Sequence, residues 1–138
     1  MRRLLQDQQG VSAIEFAFLA PMFLYLVLGG ICYGTIFGLN HSAQELASTA
    51  ARAAVAGLSD EERNQIVQQF VTANASSYVN LDASKLTVQV SKLDTATRSY
   101  RVDVNYDASS SPIYSLSGVI PLPASTIFQS AVMQRGGY

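Results

Sequence analysis

The stretch GVSAIEFAFLAPMFLYLVLGGICYGTIFGL, residues 10–39, decides the fold of this 138-residue chain. It contains a single charged residue, Glu15, and the next charged residue along the chain is Glu45. A helix of residues 16–39 would be about 36 Å long, which is enough to cross a hydrocarbon core of about 30 Å with some tilt. The stretch therefore predicts one transmembrane helix, residues 11–39, with a carboxylate at its mouth.

The composition narrows the classes of function. A net charge of -1 argues against binding of nucleic acid, which calls for a basic patch. The one cysteine, Cys32, cannot form an internal disulfide and is expected to be a small apolar residue of the membrane segment. The sequence shows no Cys/His cluster, no P-loop, no glycine-rich dinucleotide loop and no nucleophile beside a base, and His41 stands alone. We therefore predict no metal, no cofactor and no enzymatic activity.

The charges that flank the apolar run predict its orientation. Arg2 and Arg3 precede the run, and Glu45 comes before the next basic residue, Arg52. This bias places the N-terminus in the cytoplasm and the rest of the chain outside. The run is longer than the apolar region of a cleaved signal peptide, about 7–15 residues, and it begins with an acid, so a retained anchor is favoured.

Two features inside the segment have alternative interpretations. Glu15 either remains solvated among the lipid headgroups or waits for a cationic partner that offsets its desolvation. Gly30, Gly34 and Gly38 form a small-xxx-small face that lets another helix approach closely, although glycine is also common in membrane helices for no such reason. Pro21 predicts a kink.

Helical periodicity continues beyond the membrane. Small apolar residues recur at helical spacing, which predicts one helix over about residues 12–56 that ends near Gly57: Ala43, Leu46, Ala47, Ala50 and Ala54. Ser59 and Glu62 form a capping box, so a second helix is expected to follow to about Ser77.

Alternating residues in the second half predict strands. Residues 86–90 and 100–106 should form an antiparallel hairpin through a link at 94–97, and residues 126–133 are a third strand candidate. Residues 113–122 are apolar but too short and too interrupted, by Gly118 and Pro121, to span a bilayer. Tyr106, Tyr114 and Phe128 are expected to fill a corner of the core. The predicted fold class is α+β: a long N-terminal transmembrane and spine helix, a second helix and a small three-stranded antiparallel sheet. The predicted core side of the hairpin is Leu86, Val88, Val90, Val102 and Val104.

The start of the chain resembles a known processing site. Gly10, four residues, and then Glu15 at the head of a long apolar helix resemble the cleavage site of type IV prepilins. Residues 15–21, Glu-Phe-Ala-Phe-Leu-Ala-Pro, and residues 50–54, Ala-Ala-Arg-Ala-Ala, look like the TadE-like family of tight-adherence (Tad/Flp) pilus systems. The resemblance is densest over residues 10–57.

The resemblance implies a function. A prepilin peptidase would cut between Gly10 and Val11, and Glu15 with Phe16 would then help the subunit to pack into a filament. The chain would be a minor pilin or pseudopilin that assists assembly of a Tad pilus. Its implied parts are a leader (1–10), a transmembrane helix (11–39) and a small extracytoplasmic pilin-like domain (40–138).

The resemblance also implies partners and a location. The partners would be the prepilin peptidase, other Tad pilins and pseudopilins, the inner-membrane assembly platform and the membrane itself. The protein would span the bacterial inner membrane once, with a periplasmic C-terminus, and could leave the membrane when a pilus assembles. The alternative is an uncleaved single-pass anchor that displays a periplasmic binding module.

Overall fold

The structure, a computed structural model, describes residues 8–94 and 99–134. Two helices, α1 (Gln8–Ala54) and α2 (Asp60–Asn74), precede three strands, β1 (Leu86–Asp94), β2 (Ser99–Asp107) and β3 (Thr126–Gln134). Short 3₁₀ turns at Ala75–Ser77, Ala83–Lys85 and Pro112–Leu116 lie in the connections. The predicted α+β fold is confirmed. Most of the link predicted at 94–97 lies outside the described residues.

Helix α1 is one continuous element of 47 residues and runs through Pro21 without interruption. At 1.5 Å per residue it is about 70 Å long. It ends two residues earlier than expected, and its last four carbonyl groups all find donors. Val55, Ala56 and Gly57 donate their backbone N–H groups to the carbonyls of residues 52, 53 and 54, and the hydroxyl of Tyr100 donates to the carbonyl of Ala51 at 3.0 Å. The end of the helix is therefore closed partly by the sheet.

Helix α2 begins at the predicted capping box. The backbone N–H of Glu62 donates to Ser59 Oγ at 3.1 Å, and the Glu62 carboxylate accepts from the N–H of Leu58 at 2.8 Å. The α-helix ends at Asn74 and a 3₁₀ turn continues it to Ser77, so the predicted extent holds only when that turn is included.

The sheet is an antiparallel meander with the strand order β1-β2-β3. Val104 in the central strand pairs with Val88 on one side and with Gln129 on the other. One face of the sheet packs on α1 and α2, and the five hairpin residues predicted to face the core are buried or packed against it.

Phe128 is the exception to the predicted core. Tyr106 is buried and Tyr114 packs against the core, but Phe128 is 55% exposed and the prediction for it is wrong. In β3 the neighbouring Ile127 is buried, and side chains alternate between the two faces of a strand, so Phe128 points away from α1.

Candidate processing and assembly site on the first helix

Gly10 and Val11 lie in the first turns of α1, because the helix begins at Gln8. Val11 is exposed. A glycine inside a helix is about 1 kcal/mol less favourable than alanine, and helix ends fray readily. The bond between these two residues therefore lies where the helix opens most easily.

Glu15 lies four residues after Val11, so both residues project from the same side of the helix. Its side chain is exposed, and it forms no ion pair with any residue in the described ranges 8–94 and 99–134. Phe16 is 72% exposed. The structure thus leaves the carboxylate without a cation inside its own described chain.

Residues 11–31, which we call the membrane half of α1, are apolar and uncovered. Every large apolar side chain in this half is exposed, and the most apolar 18-residue window of the helix has a mean hydropathy of 2.0, with none of it buried against the described chain. By length and composition α1 is able to cross a membrane. Its exposed apolar surface is the surface that a lipid environment would accept.

Gly30, Gly34 and Gly38 lie at the upper end of the membrane half and just beyond it. A Cβ atom at any of the three would meet no atom of the described chain within 4 Å. At 3.6 residues per turn they lie on roughly the opposite side of the helix from the face that the sheet covers. The three glycines therefore form a face of α1 on which the backbone is not covered by the described chain.

The remainder of the helix, residues 32–54, is the domain half, because the rest of the chain covers one of its faces. Coverage begins at Cys32, which is buried by the protein itself rather than left for lipid as its sequence position suggested. Tyr33 donates its hydroxyl to the carbonyl of Pro121 at 2.5 Å, and Gln129 Nε2 donates to Asn40 Oδ1 at 2.9 Å. No local sequence pattern indicates these two contacts, since they join residues 88 and 89 positions apart.

The main electrostatic cluster is at the other end of the domain. Arg63 is buried, pairs with Asp60 at 2.7 Å and lies 5.5 Å from the centre of the Tyr100 ring. Asp60 also pairs with Lys92 at 2.9 Å, and the hydrogen bond from Lys92 is the main cause that lowers the Asp60 pKa. Burial raises the pKa of the Tyr100 hydroxyl. These groups join α2 to the sheet, which makes the cluster a structural one.

The part of the chain that the structure describes brings together no group of three His, Cys, Asp or Glu side chains that could hold a metal ion. A shallow cleft beside α1 is lined by residues that include Thr35, Leu39, Asn80 and Lys85. Lys85 is the charged side chain among the residues that line this cleft.

A membrane-length helix that continues as the spine of a small α+β domain is an arrangement that fits a membrane-anchored protein. Residues 10–52 match the family model described as TadE-like protein, and the match confirms the resemblance seen in the sequence. It begins at Gly10 and contains Glu15 and the three open glycines. The match and the apolar helix together fit a pilin related to the Tad pilus. No curated protein and no solved structure matches the chain.

Proposed function

We propose that this protein is a minor pilin or pseudopilin that assists assembly of a Tad pilus. In this proposal a prepilin peptidase cuts after Gly10, and Glu15 then pairs with the N-terminal amine of a subunit. One observation carries the proposal: the family match begins at the glycine of the cleavage motif, and the carboxylate five residues later is exposed and forms no ion pair with the residues that the structure describes.

Cleavage supplies the missing cation. The new amine on Val11 has a reference pKa near 8 and is largely protonated at neutral pH. A charge-assisted hydrogen bond to this amine offsets the cost of holding a carboxylate in apolar surroundings, which is about 2.5–3.5 kcal/mol at mid-bilayer. Cleavage also turns Val11 into the start of the helix, which brings Glu15, one turn further on, closer to the positive end of the helix dipole.

The amine can reach Glu15 from its own chain or from a neighbour. Val11 and Glu15 lie one helical turn apart, which permits a pair within one subunit. A pair between two subunits would instead fix their axial stagger, because a subunit that docks one turn away leaves its acid unpaired. The second arrangement makes the acid a register device for the filament.

The glycine face gives the helix a place to pack in a filament. Gly30, Gly34 and Gly38 leave open backbone opposite the covered face, so a second helix can approach without displacing the sheet. We propose this face as the packing surface for neighbouring pilins or for the assembly platform in the inner membrane. The domain then projects to the periplasmic side, as the flanking charges predict.

The mature N-terminus tests cleavage. Co-expression of the full chain with a prepilin peptidase should yield a product that starts at Val11, and Gly10→Leu should leave the leader attached. The matched control is Gly29→Leu, which adds the same side chain to the same helix in open space. A wild-type product that still starts at Met1 would support the uncleaved anchor with a periplasmic binding module and would end the pilin proposal.

Loss of the carboxylate tests the assembly role. Glu15→Ala should leave membrane insertion and cleavage intact but abolish incorporation into pili, as measured by immunogold labelling and by analysis of sheared filaments. Glu45→Ala is the control, because it removes an exposed carboxylate from the domain half of the same helix. Normal piliation with Glu15→Ala would refute the pairing.

A further inference from the structure

The connection between β2 and β3 lacks charge. No Asp, Glu, Lys or Arg occurs between Asp107 and Arg135, and three of the four prolines, Pro112, Pro121 and Pro123, lie in the connection. Its residues 112–123, which we call the apolar loop, include Val119, which is 69% exposed. A single exposed valine is common on water-soluble domains, so the position of this uncharged run along α1 is the observation that matters.

The apolar loop contacts α1 close to the membrane half of the helix. Pro121 contacts Tyr33, which lies 18 residues after Glu15, or about 27 Å along the helix axis. The free face of α1 is still apolar at Phe37, which is exposed, and becomes polar only with His41, Gln44 and Glu45. His41 lies eight residues beyond Tyr33, or about 12 Å. The loop therefore contacts α1 nearer to the membrane half than the point at which the exposed face of the helix becomes polar.

Several polar groups of the loop find partners in the loop itself or directly beside it. The N–H groups of Tyr114, Ser117, Val119 and Ile120 donate to carbonyls of residues 111, 114 and 116. The Tyr114 hydroxyl donates to the carbonyl of Ala124 at 3.1 Å, and Tyr33 supplies a donor for Pro121. The prolines have no N–H to satisfy. Internal pairing of this kind is what a segment needs in order to lie where water is scarce.

We propose that the apolar loop lies in the interface of the lipid bilayer on the domain side, beside α1, with Val119 directed into the boundary between headgroups and acyl chains. The loop acts as a second point of membrane contact and fixes the tilt and the rotation of the domain on the bilayer. The inference rests on the membrane anchoring of α1 and is independent of pilus assembly. Continuity with the membrane half of α1 selects lipid as the occupant, since the loop is uncharged and meets the helix at Tyr33, two residues beyond that half.

The neighbourhood of the loop carries a cation. Lys85 donates its ammonium group to Ser110 Oγ at the start of the connection, and its side chain lines the cleft next to Thr35 and Leu39. Two acids face it: Asp82, 4.0 Å away, and Asp107, whose pKa is lowered in part by the charge of Lys85. This places an ammonium group one to two helical turns above the contact at Tyr33, where anionic lipid headgroups would meet it.

Depth measurements on the full chain test the proposal. Cys32→Ala would be combined with Val119→Cys, Val79→Cys or Phe23→Cys, and each cysteine would carry an environment-sensitive fluorophore in vesicles of phosphatidylethanolamine and phosphatidylglycerol. Val79 is the matched control: it is 71% exposed, and its carbonyl accepts from Ser42 on α1, nine residues beyond Tyr33. Phe23 reports on the anchoring of α1 itself.

The label at residue 119 should emit at shorter wavelength than the label at 79, should be quenched by lipids spin-labelled near the headgroup, and should be severalfold less sensitive to aqueous iodide. Equal iodide quenching at 119 and 79, with residue 23 still quenched by lipid, would overturn the loop contact and leave the anchor intact. Shielding of 119 without lipid quenching would mean that protein covers it, which also overturns the proposal. If residue 23 is not quenched by lipid, the anchoring and the inference both fail.

Discussion

The two halves of α1 carry side chains of different size. In the membrane half the exposed residues are large, such as Phe18, Leu19 and Met22. In the domain half, half of the buried residues are alanines. Small side chains let α2 and the sheet approach the helix backbone, whereas large ones present apolar area to lipid, and the difference shows that one helix is built for two surroundings. The alanines are Ala43, Ala47, Ala50, Ala51 and Ala54.

Replacement of leucine by alanine should give the largest difference in the free energy of unfolding between the two halves. Leu46→Ala removes a fully buried side chain of the core and should lower the free energy of unfolding of the domain by about 2–5 kcal/mol. Leu26→Ala, at a position 67% exposed, should change it by less than about 0.5 kcal/mol. Denaturant unfolding of the full chain in micelles, followed by near-ultraviolet circular dichroism, measures both. Equal effects would show that the two halves are not distinct.

Replacement of glycine by alanine should destabilise the domain at Gly57 but not at Gly34. A Cβ at Gly57 would lie 2.6 Å from Arg63 Cγ and 3.0 Å from the Arg63 backbone nitrogen, so Gly57→Ala should destabilise the domain by about 1–3 kcal/mol. Gly34→Ala enters open space inside the helix and should leave the domain unchanged or slightly more stable. Thermal unfolding of the two variants compares them directly, and a stable Gly57→Ala variant would contradict the close approach.

Loss of the Tyr100 hydroxyl should destabilise the domain less than loss of a buried side chain. Tyr100→Phe leaves the carbonyl of Ala51 without its donor at the end of α1, and we expect a loss of about 1–2 kcal/mol in the free energy of unfolding. Tyr25→Phe, in the membrane half, removes an exposed hydroxyl and should be silent. The two midpoints in denaturant provide the comparison. A silent Tyr100→Phe would mean that water or another group closes the helix equally well.

The smallest effect should be acid sensitivity. The pKa of Asp60 is held below its ordinary value of 3.8, mainly by the hydrogen bond from Lys92. Its contribution to stability is therefore present above that value and is lost as the pH falls through the lower, folded pKa. Asp60→Asn should flatten the fall of the unfolding midpoint below about pH 4, whereas Glu61→Gln should not. Since Asp60 is half exposed, the change should be modest, and identical acid profiles for wild type and Asp60→Asn would rule it out.

Local patterns predicted the elements well. The apolar periodicity placed α1, the Ser59–Glu62 pair placed the start of α2, and strict alternation placed the strands, because each of these signals depends on neighbouring residues. The exposure of Phe128 and the docking of Pro121 on Tyr33 depend on which face of β3 meets α1 and on contacts across most of the chain. No local pattern contains that information.

For the candidate site, the motif of Gly10 and Glu15 was evident in the sequence, and the structure adds that the acid is exposed and the glycine face open. The sequence could not show that coverage of α1 by the domain begins as early as Cys32, because the covering residues come from the other end of the chain. That early coverage brings the apolar loop onto Tyr33, two residues beyond the membrane half.

The order of the strands has a consequence for how the domain forms. Each strand pairs with its neighbour in sequence, so the meander can assemble from local contacts, which fold fast. The contacts of Gln129 with Asn40 and of Pro121 with Tyr33 close across almost the whole chain and carry the greatest loop-closure entropy. We therefore expect β3 and its preceding loop to dock onto α1 last, after the meander has formed.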